Sequence, residues 1–248
     1  MKLSIIIPVY DEAATIGQVL NSIAAVQLDR GIKKELIIVN DGSTDKTDDI
    51  VAAFRRDHPE LELKYQVYDV NRGKGCCIRE GIALAAGEII VIQDADLEYD
   101  PNDYRPMLEC MVAKADVVYG SRFLSGKRVT TPMHRFVNWG LTFLMNRFTK
   151  LHLTDVHTGL KMFRAPLLKS LRLEEQRFGF CPEVTAKLAK IPELRWTEVP
   201  VSYRRRDYAE GKKIRFKDGL RALYCILKYS RGRAQKIDPE ITKAPVAE

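Results

Sequence analysis

The first 120 residues alternate short apolar runs with stretches of helical spacing. Leu3–Val9, Glu35–Asn40, Leu61–Tyr68, Glu88–Asp94 and Val117–Ser121 read as strands. Between them, 12–26, 44–57, 74–86 and 101–114 carry helical patterns. Ser43 or Thr44 is placed to cap a helix before Asp48, and Pro101 follows Asp100 at a first-turn position. Strands separated by helix-length segments form βαβ units, so the expected fold is α/β with a largely parallel sheet covered on both faces.

Beyond residue 125 the pattern changes. Arg135–Lys150 predicts a helix with Val137, Leu141, Leu144, Met145 and Phe148 on one side and Arg135, Asn138, Thr142 and Asn146 on another. Phe216, Leu220, Leu223, Tyr224 and Leu227 form a second apolar stripe at helical spacing. Gly159–Phe163 and Leu194–Tyr203 read as strands and Pro182–Lys190 as a helix. The expected organisation is one domain over 1–230, with halves 1–123 and 124–230, and a disordered tail over 235–248.

Open α/β sheets bind ligands beyond the carboxyl ends of their strands. Five strand ends here carry polar groups: Tyr10-Asp11-Glu12, Asp41-Gly42-Ser43, Asn71-Arg72-Gly73-Lys74-Gly75, Asp94-Ala95-Asp96 and Ser121-Arg122. After Val91-Ile92-Gln93 come two carboxylates one residue apart, with Glu98 two further on. That set suits a hard divalent cation, which takes oxygen ligands and keeps waters and substrate phosphates in its shell. Asp41 can accept hydrogen bonds from a base or ribose, and Arg72 and Lys74 bring cations toward a phosphate. No Walker A loop and no G-x-G-x-x-G occurs.

Composition adds bounds. With 248 residues, 46% apolar and 29% charged, the chain is an ordinary globular one that needs no disulfide or metal to fold. Net charge is +7, yet residues 204–236 alone hold 12 Lys/Arg against three acids, a local +9. Such an excess points to an anionic partner. No run of 18 apolar residues predicts a membrane span. Met1–Ile7 is read as a buried strand rather than a signal peptide, because Pro8 ends it and acids follow. Cys76, Cys77, Cys110, Cys181 and Cys225 include no C-x-x-C pair and read as reduced thiols of a cytosolic protein. The four histidines lack metal-ligand spacing, and Trp139, Trp196, Phe216 and Tyr224 are expected to pack in the core, which argues against a nucleic-acid partner.

Ile6-Ile7-Pro8-Val9-Tyr10-Asp11-Glu12, Asn40-Asp41-Gly42-Ser43-Thr44-Asp45, Arg72-Gly73-Lys74-Gly75, Asp94-Ala95-Asp96-Leu97-Glu98-Tyr99-Asp100-Pro101 and Gly120-Ser121-Arg122-Phe123 follow one another in order. The series resembles family 2 glycosyltransferases of the GT-A fold, within them the soluble polyprenyl-phosphate (dolichyl-phosphate mannose synthase-like) branch. Thr158–Arg164, Arg177–Phe180, Glu210–Ile214 and Lys217–Gly219 extend the likeness across about 3–230. The resemblance implies that Pro8, Tyr10, Glu12 and Asp41 hold the nucleoside of a donor such as GDP-mannose or a UDP-hexose. Lys74, Asp94 and Ala95 would meet the donor, and Asp96 with Glu98 would bind Mg²⁺ or Mn²⁺ across its diphosphate. Ser121 and Arg122 would lie beside sugar or phosphate, and Arg135, Arg206, Lys212 and Lys213 would meet a lipid-phosphate acceptor. Position 40 is Asn where the family commonly has an acid.

The expected reaction is an inverting sugar transfer. A phosphate acceptor is already largely ionised at neutral pH, its second pKa being about 6, and so needs no strong base. A hydroxyl acceptor on a glycan, glycolipid or small molecule would need one, and Glu183 or Asp155 are the candidates. Missing Gln-x-x-Arg-Trp disfavours a processive synthase. The two amphipathic stripes beside the +9 segment suggest a cytoplasmic enzyme peripheral at an anionic membrane face.

Overall fold

The computed structural model describes residues 1–125, 130–206, 216–232 and 241. In chain order the strands are β1 (Lys2–Val9), β2 (Lys33–Asn40), β3 (Glu62–Val67), β4 (Ile89–Ile92), β5 (Val117–Ser121), β6 (Lys161–Arg164) and β7 (Trp196–Pro200). The α-helices are α1 (Ile16–Ala25), α2 (Thr47–Asp57), α3 (Lys74–Leu84), α4 (Tyr104–Val112), α5 (Pro132–Thr149), α6 (Ala165–Lys169), α7 (Phe180–Leu188) and α8 (Phe216–Arg231). All seven strands join one sheet in the order β3-β2-β1-β4-β6-β5-β7. Only β6 runs antiparallel, between β4 and β5.

The near-continuous apolar runs of β1, β2 and β4 arise because both faces are covered. Leu3, Ile5, Ile7, Leu36, Ile38 and Val91 pack with α1, α2 and α4 on one side. Ile6, Ile37, Ile90 and Phe163 pack with residues of α3, α6, α7 and α8 on the other. Each such isoleucine is fully buried, worth about 1.5–3 kcal/mol over its exposed state.

Reversal of β6 has a functional consequence. Its first residue, Lys161, pairs with Ile92 and Tyr119, near the carboxyl ends of β4 and β5. The segment entering β6, Asp155–Gly159, therefore reaches the same edge as the loops leaving the parallel strands.

Several expectations change. Ser43 and Thr44 do not cap α2, which starts later, at Thr47. Ser43 instead donates to Asn40 Oδ1 (2.6 Å) and accepts from the Asp11 N–H (2.9 Å). Asp100 caps the turn at Pro101 as expected, accepting from the Asn102 N–H. On α5, Met145 is buried as expected and Arg135 is exposed, but the polar stripe of Asn138, Thr142 and Asn146 also faces inward: Asn138 Nδ2 reaches Asp155, Thr142 Oγ1 accepts from the Val156 N–H, and Asn146 bonds both N–H and C=O of Leu153. A buried connection without secondary structure must find partners for its backbone, and this stripe supplies them. Trp139 is consequently 60% exposed rather than packed. On α8, Ala222, Cys225, Ile226 and Tyr229 face inward, leaving Leu220, Leu223 and Tyr224 outside. Trp196 does pack, edge-on against Tyr119. The short α6 has no counterpart in the periodicity reading. The expected tail over 235–248 falls outside the described residues, apart from residue 241. All five cysteines are free thiols.

At the opposite end of the sheet, Glu35 is fully buried. Its carboxylate accepts from Ser4 Oγ (2.5 Å), the Ala86 N–H (2.9 Å) and Lys64 Nζ (2.6 Å). Burial alone would raise its pKa, but these donors outweigh burial and hold it at about 2, against 4.5 for an ordinary glutamate. A folded pKa below the unfolded one gives stability that is present above about pH 4.5 and lost as pH falls toward 2. Glu35→Gln is therefore expected to flatten the acid limb of stability in that window and to cost up to about 3 kcal/mol at pH 7. Urea unfolding across a pH series checks both.

Candidate active site

The ends of the parallel strands β1 to β5 and the start of the reversed β6 converge on one edge of the sheet. After β2, Asp41 is buried and its two oxygens accept from the Arg72 and Gly73 N–H groups at 2.7 and 2.9 Å. This ties the loop after β3 to the loop after β2. Gly73 has φ +96°, and a side chain there would also meet the Gln176 carbonyl at 2.4 Å. Glycine is thus required for Lys74 to start α3 where it does. Lys74 Nζ pairs with Asp94 Oδ1. Burial pulls Lys74 down, but the Asp94 charge outweighs it and holds the ammonium above its ordinary value. Asp94, half-buried like Lys74, is held below the usual carboxylate range by Lys74 and then Arg206.

Asp96 behaves oppositely. Burial, then the charges of Asp94 and Glu98, push it up to about 7 against the pull of Arg206. Its Oδ1 accepts from the Glu98 N–H (3.0 Å) and its Oδ2 meets Arg206 Nη2 (3.1 Å). Glu98 Oε1 accepts from the Arg206 N–H at 3.1 Å. Across the cleft, both Glu12 carboxylate oxygens meet Arg206 Nη1, at 3.1 and 3.2 Å. Thr15 Oγ1 bridges Glu12 Oε2 (2.8 Å) and the Ala95 carbonyl (2.9 Å), locking the β1 and β4 loops together. Pro8 is half-buried in register with Val39, and half-buried Tyr10 lies beside Asp11, whose charge raises its phenol. Among the described residues, no group of three His, Cys, Asp or Glu is placed to hold a metal by itself. Asp96 with Glu98 nevertheless fits Mg²⁺ or Mn²⁺, which are commonly bound through one or two carboxylates plus substrate phosphates.

On the β5 side, Ser121 Oγ bonds Thr154 Oγ1 (2.6 Å), and Arg122 forms a two-pronged pair with Asp155, Nε to Oδ2 at 2.6 Å and Nη2 to Oδ1 at 2.8 Å. Burial would raise the Asp155 carboxylate, but the Arg122 guanidinium outweighs it and holds the group below its ordinary value. Arg122 stacks toward Tyr203 and Phe123, and Arg135 reaches the Phe123 ring at 5.9 Å. Lys212 and Lys213 lie outside the described residues.

Two expectations are corrected. Glu183 is no available base: it is fully buried, and its carboxylate accepts from the Glu174 N–H (2.7 Å), the Glu175 N–H (2.9 Å) and Lys187 Nζ (2.6 Å). Asp155, the other base candidate, is fully buried and committed to Arg122 and Asn138. Sequence reasoning also missed three contributors. Gly159 lies so close that a methyl group would meet Asp94 Oδ2 at 2.4 Å. Tyr99 Oη accepts from the Gly159 N–H (2.8 Å), and fully buried Lys161 bonds the Thr158 carbonyl. Thr158–Arg164 was visible as a motif, but its approach to Asp94 depends on the reversal of β6. His157 buries both ring nitrogens without a hydrogen-bond partner among the described residues, and burial pushes it down to about 4, so it is neutral.

Residues 4–172 match the glycosyl transferase family 2 model, and the chain belongs to that family. It is 28% identical over 214 residues to a dodecaprenyl-phosphate galacturonate synthase of Rhizobium johnstonii, covering 86% of this chain and 62% of that protein, so it spans less than two thirds of that relative. It is 27% identical over 218 residues to an undecaprenyl-phosphate mannosyltransferase of Micrococcus luteus, covering 86% and 87%. Glucosyl-3-phosphoglycerate synthase of Mycobacterium tuberculosis, solved with UDP, superposes with a TM-score of 0.67 at 20% identity over 92% of this chain and 80% of that one. A mannosyltransferase of Pyrobaculum calidifontis, solved with GDP-Man and Mn²⁺, superposes with a TM-score of 0.58 at 22% identity over 80% and 54%. The fold is the mostly parallel, helix-flanked GT-A architecture of glycosyltransferases.

Proposed function

We propose that this chain moves a sugar from a nucleotide-sugar donor, GDP-mannose or a UDP-hexose, to a polyprenyl phosphate, inverting the anomeric centre and depending on Mg²⁺ or Mn²⁺. The observation that carries it is the pairing at one strand-end edge of Lys74 with Asp94, Arg206 with Glu12 and Asp96, and Arg122 with Asp155, so that one base candidate is held by Arg122 and the other, Glu183, by the backbone of 174–175 and Lys187. A hydroxyl nucleophile would need a base, whereas an ionised phosphate needs only orientation by guanidinium and ammonium donors.

In this reading Pro8, Tyr10, Glu12 and Asp41 line the nucleoside side, with residues 1–123 forming the donor half. Lys74, Asp94 and the Ala95 backbone face the donor. A divalent ion at Asp96 and Glu98 would supply charge neutralisation for the departing diphosphate. Ser121 and Arg122, stiffened by Thr154 and Asp155, orient sugar and phosphate. Arg135, Arg206, Lys212 and Lys213 receive the acceptor phosphate. The decisive experiment incubates the protein with Mn²⁺, labelled nucleotide sugars and polyprenyl phosphate, then extracts into organic solvent. EDTA-sensitive label in the organic phase is expected. Nucleotide release without lipid label would favour a hydroxyl acceptor instead.

A membrane face accompanies this acceptor. No helix among the described residues is long and apolar enough to cross a membrane. Along the outside of α5, Phe136, Trp139 and Phe143 stack at 6.0 and 5.8 Å and are 67%, 60% and 59% exposed. Leu220, Leu223 and Tyr224 of the adjoining α8 are also exposed, and the same two helices carry exposed Arg135, Arg147 and Arg221, the last over the Tyr224 ring. Aromatic and apolar side chains edged by arginine suit the headgroup region of an anionic bilayer. Phe136→Ser with Phe143→Ser is expected to weaken binding to anionic vesicles by about tenfold or more. Being on the surface, the pair should change stability by no more than about 0.5 kcal/mol each. Vesicle co-sedimentation with a thermal melt tests this, and unchanged binding would remove the membrane role of α5.

A further inference from the structure

Arg206 stands where the divalent ion's positive charge is needed. The chain leaving β7 is fastened beside the β4 loop: Tyr203 bridges Tyr99, the Arg204 N–H donates to the Glu98 carbonyl (2.8 Å), and the Arg206 N–H donates to Glu98 Oε1 (3.1 Å). These bonds deliver the guanidinium between Glu12 and Asp96, with its side chain only 16% exposed. Nη1 takes both Glu12 oxygens, and Nη2 takes Asp96 Oδ2. The other Asp96 oxygen already accepts the Glu98 N–H. An ion on either Asp96 oxygen lies within a carboxylate's width of the guanidinium that Oδ2 holds at 3.1 Å, and two cations that close repel strongly.

We propose that Arg206 is a resident counter-cation, displaced from Asp96 when ion and nucleotide diphosphate enter together, so that ion binding is conditional on the donor. The inference rests on the donor and metal roles given under Proposed function. Its physical basis is exchange. Bound alone, the ion would take Asp96 from Arg206 without bringing it a new anionic partner, and it would find no three-ligand protein cage among the described residues. Bound with a diphosphate, it gains phosphate oxygens, and the displaced guanidinium gains phosphate oxygens for its planar fork of donors. Arg206 is thereby a positioning residue that orders assembly of the site, in addition to meeting phosphate.

The test measures Mn²⁺ binding directly, by the electron paramagnetic resonance signal of free Mn²⁺, with and without GDP or UDP. Wild type is expected to bind Mn²⁺ about tenfold or more tightly when nucleotide is present, a usual size for coupled sites. Arg206→Gln is expected to bind Mn²⁺ alone about tenfold more tightly than wild type and to gain less from nucleotide, while Arg206→Lys keeps the wild-type pattern. Glu12→Gln, which loosens the second anchor of Arg206, shifts affinity for Mn²⁺ alone in the same direction and carries the test if Arg206→Gln does not fold. A direct ion-ligand role for Glu12 would shift it the opposite way. Unchanged or weakened Mn²⁺ affinity in both variants, with nucleotide-dependent binding intact, overturns this inference alone. Absence of Mn²⁺ binding in every protein, with or without nucleotide, overturns it together with the proposed metal dependence.

Discussion

Asp96→Asn is expected to lower kcat/KM for sugar transfer about a thousandfold while leaving the donor-free fold no less stable than wild type. The first half follows from charge: losing one charged group aimed at a developing phosphate charge costs about 10²–10³, and loss of an ion adds to it. A thousandfold is about 4 kcal/mol of transition-state stabilisation. The second half follows from the environment of Asp96. Burial and its neighbours Asp94 and Glu98 already push its carboxyl up to about 7, so its charged form is disfavoured where it sits. An amide of the same shape removes that burden. Steady-state kinetics paired with thermal melts tests both, and an Asn variant within about tenfold of wild-type activity would sink the assigned role.

The largest stability effect is expected at Asp155. Its carboxylate is fully buried and holds Arg122 by two prongs at 2.6 and 2.8 Å, with a third bond from Asn138 Nδ2 at 3.2 Å. Asp155→Ala leaves a guanidinium with little solvent access and no counter-charge, a change that typically costs about 3–5 kcal/mol. The Thr154 and Asp155 N–H groups would keep Glu198 as acceptor, so the strand-entry segment retains one anchor. Urea unfolding of Asp155→Ala and of the double variant Asp155→Ala with Arg122→Met separates the pair. The double variant is expected to recover part of the loss, because no charge is left unpaired. A cost below about 1 kcal/mol for the single variant would mean that Arg122 finds another partner.

The same residue shows what position in a fold adds to residue type. Read along the chain, Asp155 and Glu183 are carboxylates near a motif and so base candidates. In three dimensions each is spent on a neighbour: Asp155 on Arg122, Glu183 on the backbone of 174–175 and on Lys187. Availability depends on partners contributed from elsewhere. α5 makes the point for packing. Periodicity located the helix and its stripe of Leu141, Leu144, Met145 and Phe148, which packs on the core, but Val137 and Trp139 are exposed and Asn138 and Thr142 are buried in their place. The neighbouring 153–156 connection is hydrogen-bonded to Asn138, Thr142 and Asn146 on one side and to Glu198 on the other.

The sequence by itself determined the strands, because apolar runs of β1, β2, β4 and β5 encode two-sided burial locally. It also determined which strand ends carry polar chemistry, since the turn after each strand is contiguous with it. Tertiary structure alone decided the rest. Reversal of β6 carried Gly159 against Asp94, and a contact between residues 194 apart in the chain set Arg206 between Glu12 and Asp96. No local pattern records such meetings. Electrostatic pairing depends on distances across the sheet edge, and those exist only once the whole sheet has formed.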